Sequence, residues 1–234
     1  MLSAQEGQSP MPALPPDIPK DATIWLQVTD KTPSGQDAVW TTPDGIIHEF
    51  YQFNDRGRGP KTYSTYRVDG HGVVTFEETK GVDYMKNPVT ETFTMKDGTA
   101  TWKNQAEDGH QDNAAGRYFI DLDGGPASFS LFIKALLTNG NTLSLLPSGQ
   151  ASLRELKTIP IAGATQQIKA TLYAVDGLSF TPAYVWFDDQ HAPATGRERG
   201  FDQHAKFVTQ KTANQNLGTG TAKLRGLAYG HRPL

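Results

Sequence analysis

The residues best suited to chemistry lie in one glycine-punctuated run at 53–61, with the sequence FNDRGRGPK. Its two arginines carry planar forks of donors that suit a carboxylate or a phosphate. Asp55 can orient one of these forks through a charge-assisted pair, or it can act as a turn acceptor while the arginines bridge to a neighbouring strand or domain. We favour the interface interpretation, and the candidate binding or interface residues are Asp55, Arg56, Arg58 and Lys61.

Other patterns that carry chemistry are missing from the 234 residues. The chain has no cysteine, which excludes disulfides, thiolate catalysis and cysteine-bound metals. Its six histidines form no His-x-His or His-Glu-x-x-His pattern, and no serine elbow, phosphate loop or dinucleotide fingerprint occurs. The run Asp188-Asp189-Gln190-His191 offers metal ligands, but a strand that ends in a polar turn explains it equally well. The sequence therefore predicts no catalytic residue, no metal site and no cofactor.

Charge and composition argue against two kinds of partner, a membrane that the chain would span and a nucleic acid. Hydrophobic residues make up 37% of the chain, and no apolar run approaches the ~18 residues of a membrane-spanning helix, so we expect a soluble protein without a membrane span. The formal net charge is −3, with +5 in residues 190–234 and −8 in the first 189 residues. The basic residues of the tail form no dense run and lack interleaved aromatics, which argues against a nucleic-acid partner.

The pattern along the chain predicts a proline-rich, disordered leader at 1–20, a β domain at 21–189, and a basic, poorly ordered tail at 190–234. For the β domain we expect a mainly β fold, with about ten strands in a single curved antiparallel sheet that forms a half-barrel or meander. The predicted strands are 23–28, 45–53, 61–68, 73–79, 90–96, 99–103, 117–122, 151–156, 166–175 and 183–187. Asp97-Gly98 predicts a two-residue hairpin between two of them.

One amphipathic helix is predicted from Pro126 to Thr138. Its apolar residues recur at helical spacing and form one stripe, made by Phe129, Phe132, Ile133, Leu136 and Leu137. Proline suits the first turn of a helix, and the Asn139-Gly140 pair suits a left-handed C-terminal cap. We expect this stripe to pack on the concave face of the sheet.

Several motifs in a fixed order suggest a family. They include the run at 53–61, Gly81-Val-Asp-Tyr84, Asp97-Gly98-x-Ala100-x-Trp102-Lys103 and Val185-Trp186-x-Asp188-Asp189. In this order the chain resembles, over about residues 25–189, the amino-terminal β domain of bacterial exported amidohydrolase-superfamily proteins. The resemblance implies a metal-dependent hydrolase barrel as partner, in cis or in trans, and a periplasmic or secreted location. The barrel's metal ligands are absent from this chain, and no signal peptide is visible in it.

Two functions follow as expectations. The first is a non-catalytic accessory or interaction domain that supports such a hydrolase barrel, with no enzyme activity in this chain alone. The alternative is a stand-alone binding module that holds a small apolar ligand between sheet and helix. The alternative fails if Phe129, Phe132 and Leu136 fill that space.

Overall fold

The computed structural model describes residues 13–29, 32–162, 167–188 and 206–210. In these ranges the chain forms fourteen strands and one helix. The elements in chain order are β1 (Thr23–Thr29), β2 (Thr32–Thr41), β3 (Ile47–Phe53), β4 (Lys61–Val68), β5 (Val74–Val82), β6 (Pro88–Lys96), β7 (Thr99–Lys103), β8 (Asp108–Gln111), β9 (Tyr118–Phe119), α1 (Pro126–Thr138), β10 (Thr142–Leu146), β11 (Gln150–Ala162), β12 (Gln167–Asp176), β13 (Ala183–Asp188) and β14 (Lys206–Gln210).

The strands form two sheets, so the prediction of a single sheet of about ten strands is wrong, while the mainly β class with one helix is confirmed. The larger sheet has the order β14-β1-β2-β3-β4-β5-β6-β7-β8, and every pair in it is antiparallel. The smaller sheet has the order β13-β12-β11-β10-β9, with one parallel pair between β9 and β10. A sheet with one apolar face needs a second layer to cover that face, and the smaller sheet with α1 supplies this layer.

The ten predicted strands all overlap strands of the structure, and the Asp97-Gly98 hairpin is confirmed between β6 and β7. Both of its turn residues have positive φ, at 51° and 80°. Strands β2, β8, β10 and β14 were not predicted. In β2 the reason is visible in the sequence, because Pro33, Gly35 and Asp37 interrupt the pattern of apolar and β-branched residues that marks a strand.

The helix is confirmed with the predicted bounds, Pro126–Thr138. Phe132, Ile133 and Leu136 are buried, while Phe129 and Leu137 pack against the same cluster. Gly140 has a φ of 71°, as the predicted left-handed end requires. The N-terminal end is unusual, since Gly125 provides no side-chain cap and the first turn has no acidic residue.

One hydrophobic cluster joins both sheets and the helix. The ring of Phe93 on β6 stacks on Phe119 at a centroid distance of 4.6 Å, and Tyr118 meets Phe132 at 4.9 Å. Phe132 and Leu136 are buried in this cluster, and Phe129 is partly buried against it. The helix stripe therefore contributes to the core, and the binding of an apolar ligand stays a prediction.

Of the two predicted domain bounds, the one at residue 20 lies within the described residues and the one at residue 189 lies outside them. In the predicted tail, the described strand β14 pairs with β1, while residues 1–12 and most of residues 190–234 lie outside the described ranges. The division at residues 20 and 189 therefore stays a prediction. Within the described ranges, no helix is long and apolar enough to span a membrane.

Candidate functional site

The loop that carries the candidate residues lies against the turn between β5 and β6. The N–H of Gly59 donates to the carbonyl of Tyr84 at 2.8 Å, and Nζ of Lys86 donates to the carbonyl of Gly59 at 2.5 Å. The hydroxyl of Tyr84 donates to Oδ2 of Asp55 at 2.5 Å. We call residues 55–59 together with residues 83–87 the basic platform.

The tip of the loop is a two-residue turn with Arg56 at its first central position. Asp55 and Arg58 exchange two backbone hydrogen bonds, at 2.8 and 3.0 Å, and the side-chain oxygen of Asn54 accepts the N–H of Gly57 at 2.8 Å. Arg56 and Gly57 have φ angles of 54° and 87°, the pairing of a type I′ turn. Asparagine or glycine is the usual residue at the first of these positions, because a side chain with a longer stem is strained there by roughly 1 kcal/mol.

The four predicted site residues have different surroundings in the structure. The guanidinium of Arg58 lies 3.7 Å from the carboxylate of Asp55 and 5.4 Å from the ring centre of Tyr84. Arg56 forms no ion pair within the part of the chain that the structure describes. Lys61 on β4 has its ammonium over the ring of Phe50, 5.8 Å from the ring centre. The loop therefore brings Asp55 and Arg58 together and leaves the Arg56 charge unmatched.

The neighbouring turn adds apolar surface that the sequence analysis did not assign to the site. Met85 is 63% exposed and Tyr84 is 38% exposed. Asp83 fixes the turn by accepting the N–H groups of Met85 and Asn87, both at 2.8 Å, and the side-chain amide of Asn87 at 2.9 Å. These bonds lower the pKa of Asp83, the largest contribution coming from the Asn87 side chain. The sequence signal that could have predicted this turn is an aspartate followed four residues later by an asparagine.

Two glycines of the loop differ in what surrounds them, and this difference gives a matched test. A Cβ on Gly57 would meet nothing within 4 Å, whereas a Cβ on Gly59 would lie 2.2 Å from the carbonyl oxygen of Phe53. Gly59 also has a φ of 115°, which side-chain-bearing residues rarely adopt. We expect Gly57→Ala to lower the free energy of unfolding by about 1 kcal/mol and Gly59→Ala by about 2 kcal/mol or more, measured by urea titration. Equal losses in the two variants would contradict this account of the loop.

A second polar site, absent from the sequence predictions, lies on the face of the large sheet that is turned toward α1. It contains five carboxyl groups that influence one another's ionisation, and we call it the acidic cluster. Its members are Asp37 on β2, Glu49 on β3, Glu77 on β5, Glu91 on β6 and Asp121 after β9. No Lys, Arg or His side chain among the described residues is buried to balance them.

Strand register brings the cluster together. Glu49 lies opposite Ser64, Ser64 opposite Thr79, and Thr79 opposite Glu91, so the four residues form one row across β3 to β6. Glu77 lies two residues before Thr79 on the same face, and its Oε1 is 3.0 Å from the Thr79 hydroxyl. Directly opposed side chains of neighbouring strands share a face of the sheet, and here that shared face is polar and buried.

Two carboxyl groups of the cluster hold the chain segment that leads into α1. Glu49 accepts the N–H of Ala127 at 2.8 Å and the hydroxyl of Tyr66 at 2.9 Å. Glu91 accepts the N–H groups of Leu122 and Asp123, each at 3.0 Å. Backbone N–H groups at the start of a helix favour a negative partner, so these contacts fix the segment to the sheet.

Two glycines make this close approach possible. A Cβ on Gly124 would lie 1.6 Å from Oδ2 of Asp121, and a Cβ on Gly125 would lie 2.2 Å from Oε1 of Glu49. Any larger residue at either position would push a buried carboxyl group away from the backbone. The Gly-Gly-Pro run therefore serves the acidic cluster as well as the start of the helix.

Burial, with a further contribution from neighbouring carboxylates, raises the pKa of Asp121 to about 7. Burial also raises the pKa of Asp37 and of Glu77 well above their usual range, and the charges of nearby acids add to the effect. Within the described part of the chain, four buried polar atoms have no hydrogen-bond partner: Oδ1 of Asp37, Oγ1 of Thr62, Oη of Tyr118 and Oδ2 of Asp121. Part of the cluster therefore holds protons at neutral pH, because a protonated carboxyl group is the form that a buried environment favours.

The chemistry open to this cluster is limited. Among the described residues, no group of three or more His, Cys, Asp or Glu side chains is arranged to hold a metal ion. The candidate ligands at 188–191 lie outside the described ranges except for Asp188, so that alternative stays open. The contacts of Glu49 and Glu91 run to the protein's own backbone, and they give the cluster a positioning role. The surface site that remains is the basic platform.

No family model matches the chain, and no curated protein matches it. Among solved structures, the chain is similar to a β-barrel-like protein of the domain of unknown function DUF1849 from Brucella abortus, at 10% sequence identity and a TM-score of 0.40. The match covers 90% of this chain and 96% of the Brucella chain.

The predicted amidohydrolase resemblance is therefore wrong, because the matching structure is a DUF1849 protein rather than the amino-terminal domain of an amidohydrolase. The hydrolase barrel as partner loses its support with it. Several of the motifs behind the resemblance are turns and strand pairs, such as Asp97-Gly98 followed by β7, whose residues are chosen by hairpin geometry and recur in unrelated β proteins. The periplasmic or secreted location and the absence of a cofactor stay predictions.

Proposed function

We propose that this chain is a non-catalytic interaction domain that docks a partner protein through the basic platform. The observation that carries the proposal is Arg56, which occupies a left-handed turn position that asparagine or glycine would fill with less strain. A strained residue that persists in a well-fixed loop points to a role for its side chain. At this tip, the side chain is an arginine without an ion pair in the described part of the chain.

The surroundings of Arg56 support docking. Arginine, tyrosine and methionine are enriched at protein interfaces, and the platform presents Arg58, Tyr84 and Met85 beside it. Hydrogen bonds from Gly59, Lys86 and Tyr84 hold the loop and the turn together, so the surface is preformed. A preformed surface loses less conformational entropy on binding than a loose loop does.

Substitution of Arg56 by asparagine separates folding from function. We expect Arg56→Asn to raise the free energy of unfolding by about 0.5–1 kcal/mol, since asparagine tolerates the left-handed conformation, and to weaken partner binding. Stability is measured by urea titration. Binding is measured with a photo-crosslinking residue in place of Met85, in the full chain expressed in its native cells, by the yield of a discrete protein adduct.

The matched control places the same photo-crosslinking residue at Phe180, which is fully exposed and lies between β12 and β13. A discrete adduct should form from position 85 and decrease in the Arg56→Asn background. The same adducts from position 180, or an adduct from position 85 that Arg56→Asn leaves unchanged, would contradict docking through the platform.

A further inference from the structure

The charges of the basic platform are unequally matched, and this imbalance points to the chemistry of its partner. Arg56, Arg58 and Lys86 face two acids, Asp55 and Asp83. The carboxylate of Asp83 is occupied by three N–H donors of its own turn. Asp55 is therefore the one acid of the platform that can form an ion pair with the neighbouring arginines.

Asp55 cannot neutralise both arginines. Its Oδ2 accepts the hydroxyl of Tyr84 at 2.5 Å, and the guanidinium of Arg58 stays 3.7 Å away, beyond hydrogen-bond distance. The side chain of Arg58 is 51% exposed, and the Tyr84 ring below it orients its fork. Donors of Arg56 and Arg58 therefore remain available to carboxylates of another molecule, which a guanidinium binds in a bidentate way.

On this basis we propose that the partner presents a short acidic segment that also carries an apolar side chain, an inference that rests on the docking function proposed above. The carboxylates pair with Arg56 and Arg58, and the apolar side chain covers Met85 and the ring of Tyr84. Desolvation by the apolar contact strengthens the ion pairs beside it, which explains why the two kinds of surface occur together.

The charge of the rest of the chain favours a short segment over an extended polyanion. The first 189 residues carry a net charge of −8, so the platform is a small basic region on an acidic protein. Nucleic acid or an anionic membrane would extend beyond the platform and meet this negative field, whereas a peptide segment of a few residues contacts the platform alone.

Selection from a library of random peptides displayed on phage tests the proposal with the purified full chain. We expect the selected peptides to be enriched in Asp and Glu next to Leu, Phe or Met. Binding of the best synthetic peptide should weaken at least tenfold in Arg58→Glu and severalfold between 50 and 300 mM NaCl. Lys103→Glu is the control, because the side chain of Lys103 is 72% exposed on β7 and lies outside the platform, so binding should not change.

Three results would overturn the acidic segment. They are selected peptides without an acidic excess, peptides whose binding Arg58→Glu does not change, and a chain that binds only a single-stranded oligonucleotide or a phosphatidylglycerol vesicle in parallel titrations. Failure of the docking function itself looks different. If the selected peptides lack acidic residues and their binding is lost in Met85→Asp, the acidic partner is refuted and docking through the platform is left intact. If crosslinking in cells gives the same adducts from positions 85 and 180, both the docking function and the acidic partner are refuted.

Discussion

At pH 8, the Asp121→Asn variant is expected to have a free energy of unfolding higher than that of the unsubstituted chain by on the order of 4 kcal/mol, and the advantage should vanish near pH 4. The folded chain holds the pKa of Asp121 at about 7, against an ordinary value of 3.8. Between these values, the folded state binds the proton more tightly than the unfolded state does. Stability therefore falls as the pH rises from about 4 to 7, and the full cost of a buried carboxylate is present above pH 7.

Urea titrations at several pH values from 4 to 9 measure this difference. A shallower decline should remain in Asp121→Asn, because burial also raises the pKa of Asp37, Glu49, Glu77 and Glu91. The matched control is Asp97→Asn, an exposed turn residue at positive φ that asparagine fits equally well, and its curve should run parallel to that of the unsubstituted chain. Parallel curves for Asp121→Asn as well would contradict the placement of a buried proton at this carboxyl group.

Removal of the Glu49 side chain is expected to be the most damaging single change in the described part of the chain. Glu49→Ala leaves the N–H of Ala127 and the hydroxyl of Tyr66 without their acceptor in a buried place, and it opens a cavity. We expect a loss of about 3–5 kcal/mol in the free energy of unfolding. Amide hydrogen exchange at Ala127 should speed up in the same variant, since that N–H loses its partner.

Glu49→Gln separates the hydrogen bonds from the charge. Its side-chain oxygen can accept from Ala127, and its amide can donate to the hydroxyl of Tyr66, so we expect less than half the loss of Glu49→Ala. Glu78→Ala is the position control. The side chain of Glu78 is 40% exposed and pairs with Lys80 at 2.7 Å, so its removal should change stability by less than about 0.5 kcal/mol. Similar losses of stability in Glu49→Ala and Glu78→Ala would refute the role of Glu49 in fixing the start of α1 to the large sheet.

Local patterns made the helix and the tight hairpin predictable. The stripe from Phe129 to Leu137 requires a buried surface at helical spacing, and Asp97-Gly98 supplies the left-handed residues that a two-residue turn needs. The period of two along a strand also explains the adjacent pair Glu77 and Glu78, because successive side chains point to opposite faces. Glu77 is buried, whereas the side chain of Glu78 is 40% exposed.

The acidic cluster could not be predicted in the same way. Glu49 shares its period-two face with Ile47 and Tyr51, and Glu91 shares its face with Val89 and Phe93. A carboxyl group is seldom fully buried, so a local pattern gives no reason to expect it on an apolar face. Here both faces of β2 and β3 are partly covered, since Asp37 and Ala38 are both buried. Which face takes the charges depends on α1 and the smaller sheet, which are far away in sequence. The Gly-Gly-Pro run before the helix was the remaining local signal, and it predicted only a helix start.

The way α1 begins has a consequence for how the chain folds. The helix has no capping side chain or acidic residue of its own, and its N-terminal acceptor is Glu49, 78 residues earlier in the chain. A fragment that starts after β8 would therefore lack the group that fixes the first turn, and a short isolated helix is marginal in water. Helix and large sheet should form together in one cooperative transition of high contact order, with the helix amides gaining protection only when β3 is in place. Since one hydrophobic cluster also joins the two sheets, we expect the two-sheet architecture to fold as one unit rather than as two modules joined in sequence.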